Sequence, residues 1–246
     1  MTNPIPNPIP VQTRDLYRRA SEIFGAHVHG VRPGQWNLAT PCAEWDVRAL
    51  VNHVVGENRW AVPLFGGGTI DEVGDRLDGD LLGADPAAAW DESATEALAA
   101  IDEMGAMERT VHLSFGDFPG REYAMQLFAD LLVHGWDLAT ATGQDGTLDP
   151  ELVAACAGWF ADLAPAYREA GAVAPRPAVP GDADAQTLML AEFGRTAGRH
   201  LTASGLGRSA GGLRDVEWPG TGRAFRDGQD GTIGGRSRSR SVRGGT

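Results

Sequence analysis

Residues 121–142 constrain the fold more than any other stretch of the chain. From Arg121 to Thr142 the spacing predicts one long helix that ends at Gly143. At about 100° per residue, Tyr123, Gln126, Asp130, His134 and Asp137 fall within an arc of about 80°. Leu127 and Leu131 flank this polar stripe on one side, Val133 and Trp136 on the other. Phe128 and Leu132 make most of the remaining circumference apolar. A helix that is apolar nearly all round belongs in an interior, surrounded by other helices. Carboxylates and imidazoles carried into that interior need partners, so the stripe is the first place to look for chemistry.

The rest of the chain can supply the surrounding helices. Leu16, Ala20, Ile23 and Val31 recur at helical spacing between Thr13 and Val31. Asp46 reads as the cap of a helix to about Val62, which Pro63 and Gly66-Gly67-Gly68 end. Asp85-Pro86 and Asp149-Pro150 each place a cap before a proline, opening helices to about Met107 and about Glu169. Thr110–Ser114 reads as a short strand followed by turn residues, and a last short helix spans about Asp184–Phe193. Successive long helices of this kind predict an all-α bundle with a short β-hairpin insertion.

Composition sets the limits of this domain. The 246 residues contain 21 Arg and no Lys. Residues 1–200 hold 13 Arg against 29 acids, whereas 201–246 hold 8 Arg against 4 acids and 12 of the 33 Gly. The last segment has almost no apolar periodicity and cannot offset the entropy of ordering. The expected organisation is therefore a disordered N-terminus over 1–12, a helical domain over 13–200 and a disordered Gly/Arg/Ser-rich tail over 201–246. The acidic body argues against a nucleic-acid partner despite the Arg-Ser tail. No run approaches the roughly 20 apolar residues of a membrane span. MTNPIPNPIP at the start lacks the features of a secretory leader. Two cysteines, Cys42 and Cys156, exclude a disulfide framework and fit a cytoplasmic protein.

Asp130 and His134 stand four apart, so one carboxylate oxygen and one imidazole nitrogen can meet a single ion. The same spacing also suits a hydrogen-bonded pair in the core. His53, on the edge of the apolar face of the Asp46 helix and one turn before Glu57, is the candidate third ligand, because a bundle aims side chains of facing helices at one point. Two imidazoles and one carboxylate leave zinc with an open position, a catalytic type of site. Nickel, cobalt and ferrous iron accept the same set. Asp137 and Gln126 are candidates to orient His134 or a substrate, and Tyr123 to donate to a developing oxyanion. Trp36, Trp45, Trp60 and Trp136 are either core or the rim of a pocket.

Two stretches carry a resemblance. Trp36-Asn-Leu-Ala-Thr-Pro-Cys-Ala-Glu-Trp45-Asp-Val-Arg-Ala-Leu-Val-Asn-His53 and Asp130-Leu-Leu-Val-His134-Gly-Trp-Asp-Leu-Ala139 resemble the DinB-like, mycothiol-dependent maleylpyruvate isomerase N-terminal domain superfamily. Together with Gly79–Pro86, they resemble more closely an actinobacterial-type subfamily of standalone metal-binding proteins. The resemblance covers about residues 13–199. It implies a four-helix bundle with one divalent metal, usually zinc, on His53, Asp130 and His134. It further implies mycothiol as co-substrate and a small electrophile as substrate. The isomerase has Glu where Asp130 stands, and nothing after Ala203 resembles its second domain. The expected function is therefore a metal-activated thiolate chemistry of transferase or isomerase type, with a non-catalytic metal- or thiol-binding module as the alternative.

Other features are weaker. Cys42 reads as a small buried hydrophobe or, at a helix start, a reactive thiol. Cys156 reads as core. His27 and His29 point apart and cannot share an ion. Asp71–Asp85 reads as a solvated loop able to close over the site, and the apolar helix faces are compatible with a homodimer.

Overall fold

The computed structural model describes residues 9–43 and 45–197. The expected tail over 201–246 and most of the expected N-terminal segment lie outside the described residues. Four long helices form the frame: α1 (Ile9–His29), α2 (Val47–Phe65), then after the single turn α3 (Ile70–Val73) the helix α4 (Pro86–Asp102), and α5 (Gly120–Thr142). α1 packs on α4 and α5, and α2 packs on the same two. The four therefore make a closed square in which α1 and α2 sit on opposite corners, a four-helix bundle with diagonal connections.

Local chemistry sets most of the boundaries. The Asp46 carboxylate accepts from the Ala49 amide at 2.8 Å, and Asp85 accepts from Ala88 at 3.1 Å. Each cap satisfies an amide that the first turn would otherwise strand. α5 ends at Gly143, whose φ of 72° is a left-handed conformation that glycine adopts without a Cβ clash. Strands β1 (Thr110–Leu113) and β2 (Gly116–Pro119) form the antiparallel hairpin that leads into α5. At the joint, a Cβ on Gly120 would collide with the Ala106 carbonyl oxygen.

Several elements depart from the sequence reading. α1 starts at Ile9, four residues earlier than the periodicity indicates. α2 continues through Pro63 to Phe65 before Gly66 stops it. α4 ends at Asp102 rather than near Met107, because Glu103 turns to an extended conformation. The helix expected over 150–169 is two helices, α6 (Pro150–Phe160) and α7 (Ala164–Glu169), with the break just before Pro165, whose missing N–H belongs in a first turn. The acidic stretch after residue 70 is not free loop. It contains α3 and is held along α2, where Asn52 bonds Gly79 O and Leu81 N and Arg48 pairs with Asp80.

α8 (Ala185–Glu192), capped by Asp184, packs on α6, and α6 packs on α5. These outer helices explain why α5 is buried all round. Bundle partners cover one side, α6 and the hairpin cover the rest, and every residue from Gln126 to Ala139 is buried. The core is a continuous apolar mass through all four frame helices. No helix among the described residues is long and apolar enough to cross a membrane.

Candidate metal centre

The side chains that the sequence singles out on two separate helices converge. One ligand atom each from His53, Asp130 and His134 lies within 4.8 Å of the other two. His53 Nε2 stands 3.4 Å from Asp130 Oδ1, and His134 Nε2 stands 3.3 Å from the same oxygen. Ligand atoms at the corners of a tetrahedron around zinc, with bonds of 2.0–2.1 Å, are about 3.3–3.4 Å apart. The observed separations match that edge.

The hydrogen-bond accounting points the same way. His134 Nδ1 lies 3.0 Å from Asp137 Oδ2, so its proton is donated there. Nε2 then presents a lone pair toward Asp130, and lone pair against carboxylate is repulsive without a cation or proton between them. Neither His134 Nε2 nor Asp130 Oδ2 has a hydrogen-bond partner, although both are buried. Unpartnered buried polar groups are rare in native proteins and call for a missing group. The donor set, two imidazoles and a carboxylate that all turn inward, fits a divalent cation.

Electrostatics favour a cation as well. Burial alone raises the Asp130 pKa, but His134 and His53 outweigh it and hold the carboxyl well below its usual range. Burial lowers His134, yet Asp130 and then Asp137 outweigh it and lift the imidazole to about 9. The two buried carboxylates thus favour positive charge on His134 Nε2, which a proton or a metal ion can supply.

The wall of the site comes from the segment before α2. Trp45 lies against both imidazoles, with ring centroids 4.5 Å from His53 and 5.5 Å from His134. Thr40 holds that turn: its Oγ1 donates to Trp45 O at 2.8 Å and accepts from the Cys42 amide at 3.1 Å. Thr40 thus ties Cys42 and Trp45 together and sets Trp45 over the two imidazoles. Trp60 and Trp136 are buried in the core instead, and Trp36 is half-buried against it.

The remaining candidates divide. Asp137 touches His134, with Oδ2 3.0 Å from Nδ1. Gln126 and Tyr123 are buried on the same stripe, and both Gln126 Oε1 and the Tyr123 hydroxyl lack a partner. Tyr123 lies beside Phe65, with burial and then Glu57 pushing its pKa well up. Cys42 is buried, and burial pushes its thiol up to about 11, so it stays protonated and is no nucleophile at neutral pH. Cys156 is core, likewise a buried free thiol. His27 bonds Gln144, and His29 and His112 pair with Asp91 and Asp117, all away from the cluster. Sequence reasoning missed Arg195, whose guanidinium grips Asp137 with Nη2 2.6 Å from Oδ2 and Nε 3.3 Å from Oδ1. The only available signal was a lone arginine two residues after Phe193.

Fold and cluster together define a class: helical bundles that hold a His–carboxylate–His set between two facing helices. The family described as the mycothiol maleylpyruvate isomerase N-terminal domain matches residues 17–139, and the chain belongs to that family. Uncharacterized proteins of Mycobacterium tuberculosis, from strains CDC 1551 / Oshkosh and ATCC 25618 / H37Rv, are each 41% identical over 140 residues, covering 55% of this chain and 70% of theirs. No solved structure matches the chain with significance.

Proposed function

We propose that the protein is a divalent-cation protein, with zinc as the resident ion, that promotes attack of a low-molecular-weight thiol on a small electrophile. Mycothiol is the thiol that the family name supplies. The single observation behind this reading is the convergence of His53 and His134 on Asp130, 3.4 and 3.3 Å from its Oδ1, with all three ligand atoms within 4.8 Å of one another and buried ligand atoms that have no hydrogen-bond partner. A cation held there would supply a Lewis-acidic position that favours the nucleophilic thiolate over the thiol, with the proton released to solvent.

The chain's own residues have separate tasks in this scheme. His53, Asp130 and His134 hold the ion. Asp137 keeps the proton of His134 on Nδ1, so that Nε2 faces the ion. Trp45 covers the imidazoles and limits water. The Tyr123 hydroxyl is a donor for developing negative charge on the electrophile, and Gln126 offers a nearby polar contact for substrate. Both cysteines are buried and free, so the thiol comes from outside the chain.

A second reading, a metal- or thiol-binding module without turnover, is favoured by the enclosure of the site. The side chains of Asp130 and His134 are 3% and 0% exposed, and His53 alone reaches the surface at 16%. Elemental analysis of the purified protein beside a His134→Ala variant tests the shared core of both readings. The expected result is about one zinc per chain in the parent and near none in a folded variant. Conjugate formation between mycothiol and a set of maleimides and epoxides then separates them. Acceleration over the free thiol supports the enzyme; none across the set supports the binding module.

A further inference from the structure

The cluster is not completed by the family segment alone. The family match ends at residue 139, yet the group that fixes Asp137 arrives from beyond it, on the segment that follows α8. Arg195 is buried, with 5% of its side chain exposed, against an Asp137 that is 0% exposed. Its guanidinium makes two bonds to the two Asp137 oxygens, donates from Nη1 to Phe193 O at 2.9 Å, and also reaches the Cys42 thiol. Phe193 beside it is stacked on Phe160 of α6 at 4.1 Å. So the arginine is anchored at its own end by α6 and α8, and at the far end by α5 and the turn that carries Trp45.

The arrangement is directional. Asp137 has one oxygen, Oδ2, facing both His134 Nδ1 at 3.0 Å and Arg195 Nη2 at 2.6 Å. A carboxylate held by a guanidinium fork has its plane fixed, because both oxygens are engaged at once. With the plane fixed, the acceptor for His134 is fixed, and with it the nitrogen that His134 turns toward His53 and Asp130. Without the fork, Asp137 can rotate about its side-chain bonds and loses the neutralising charge that makes its burial tolerable.

We infer that Arg195 is a positioning residue of the metal centre, and that docking of the segment 193–197 and occupancy of the His53–Asp130–His134 site are thermodynamically coupled. This rests on the cation-binding reading above. By linkage, whatever the segment contributes to cation affinity, the cation returns as tighter docking of the segment.

Two measurements test it. The first is zinc affinity by competition with a chromophoric chelator, for the full chain and for Arg195→Gln and Arg195→Lys. In folded protein, the Gln variant is expected to lose about 10–100-fold in affinity. The Lys variant keeps one bond and the charge, and should fall between it and the parent. A residue with only a structural role would lower the melting temperature and leave the affinity of the folded fraction unchanged, so a folded Gln variant that binds zinc as tightly as the parent overturns the inference. The second measurement needs no variant and covers the case in which Arg195→Gln fails to fold. Amide exchange of the parent is followed with and without one equivalent of zinc. Slower exchange at Gly194 and Arg195, by about the same fold as the affinity effect, is expected. Equal exchange in both states overturns the coupling. A parent that takes up no zinc or cobalt at all overturns the cation reading and this inference with it, whereas zinc uptake with indifferent variants and exchange overturns this inference alone.

Discussion

The bundle interior holds two polar networks, and they are built on opposite principles. Between α1, α2 and α4, the Tyr17 hydroxyl donates to Asn58 Oδ1 at 2.7 Å, Asn58 Nδ2 donates to Ser93 Oγ at 3.3 Å, and Ser93 Oγ donates to Trp90 O at 3.0 Å. That chain ends on a backbone carbonyl, and none of its buried side-chain polar atoms is left without a hydrogen bond. Between α2 and α5, the stripe leaves Tyr123, Gln126, Asp130 and His134 each with an unpartnered buried atom. Among the described residues only Arg168 adds another such atom. The same helices and the same low-dielectric core thus produce one satisfied network and one open one. A satisfied network specifies helix register. An open one is costly unless a group from outside completes it. The contrast is therefore a physical criterion for which polar residues hold the fold and which await a ligand.

The strongest way to break the contrast is to remove a ligand. His53→Ala should weaken zinc binding by at least about 100-fold, since even a group that merely orients a ligand is worth about 10–100-fold. In the presence of a chelator its melting temperature should fall only modestly, because His53 is partly exposed at the rim of the site, where its ring packs on Trp45. A variant that keeps zinc places the ion elsewhere. The next effect is smaller and opposite in kind. Asn58→Leu strands the buried Tyr17 hydroxyl and should cost about 1–3 kcal/mol in chemical denaturation. It should leave one zinc per chain. Loss of zinc together with stability would merge the two networks and remove the contrast.

How far the sequence foretold this division follows from the range of the interactions. The caps at Asp46, Asp85 and Asp149 act within a turn, and each lies where a local reading puts it. The stripe on α5 was legible because helical period is local too, and because an apolar surround left those five residues no solvent face. His53 was legible as a candidate only through the second helix and the family motif. What failed depends on distant contacts or on the choice between two plausible stops. Proline at 63 sits inside α2, while proline at 165 marks a break, and only packing decides between them. Arg195 bonds a carboxylate 58 residues away, and Tyr17 bonds Asn58 across 41 residues. Neither pairing leaves a trace in spacing. The satisfied network was invisible for the same reason, so the sequence alone could mark the open one but not its counterpart.

A final expectation sharpens the contrast by pH. In the cation-free protein, burial pulls the His134 pKa down, but Asp130 and Asp137 outweigh it and raise it to about 9, from about 6.5 in an unfolded chain. A raised pKa contributes stability that is fully present below about 6.5 and is lost as pH climbs through 9. Tyr17 contributes no such slope, since burial first, then Asp130 and Glu57, push its pKa above the ordinary tyrosine value of about 10. Cation-free protein should therefore lose on the order of 1–3 kcal/mol between pH 6.5 and 9. With zinc bound, His134 carries no proton on Nε2 in the folded state and none in the unfolded state above 6.5, so this residue gives no slope across that window. The two stability curves, measured by denaturation with chelator and with one equivalent of zinc, should diverge as pH rises. Parallel curves would mean that nothing in the open network exchanges a proton for a cation, and that its unpartnered atoms serve some purpose other than holding a metal.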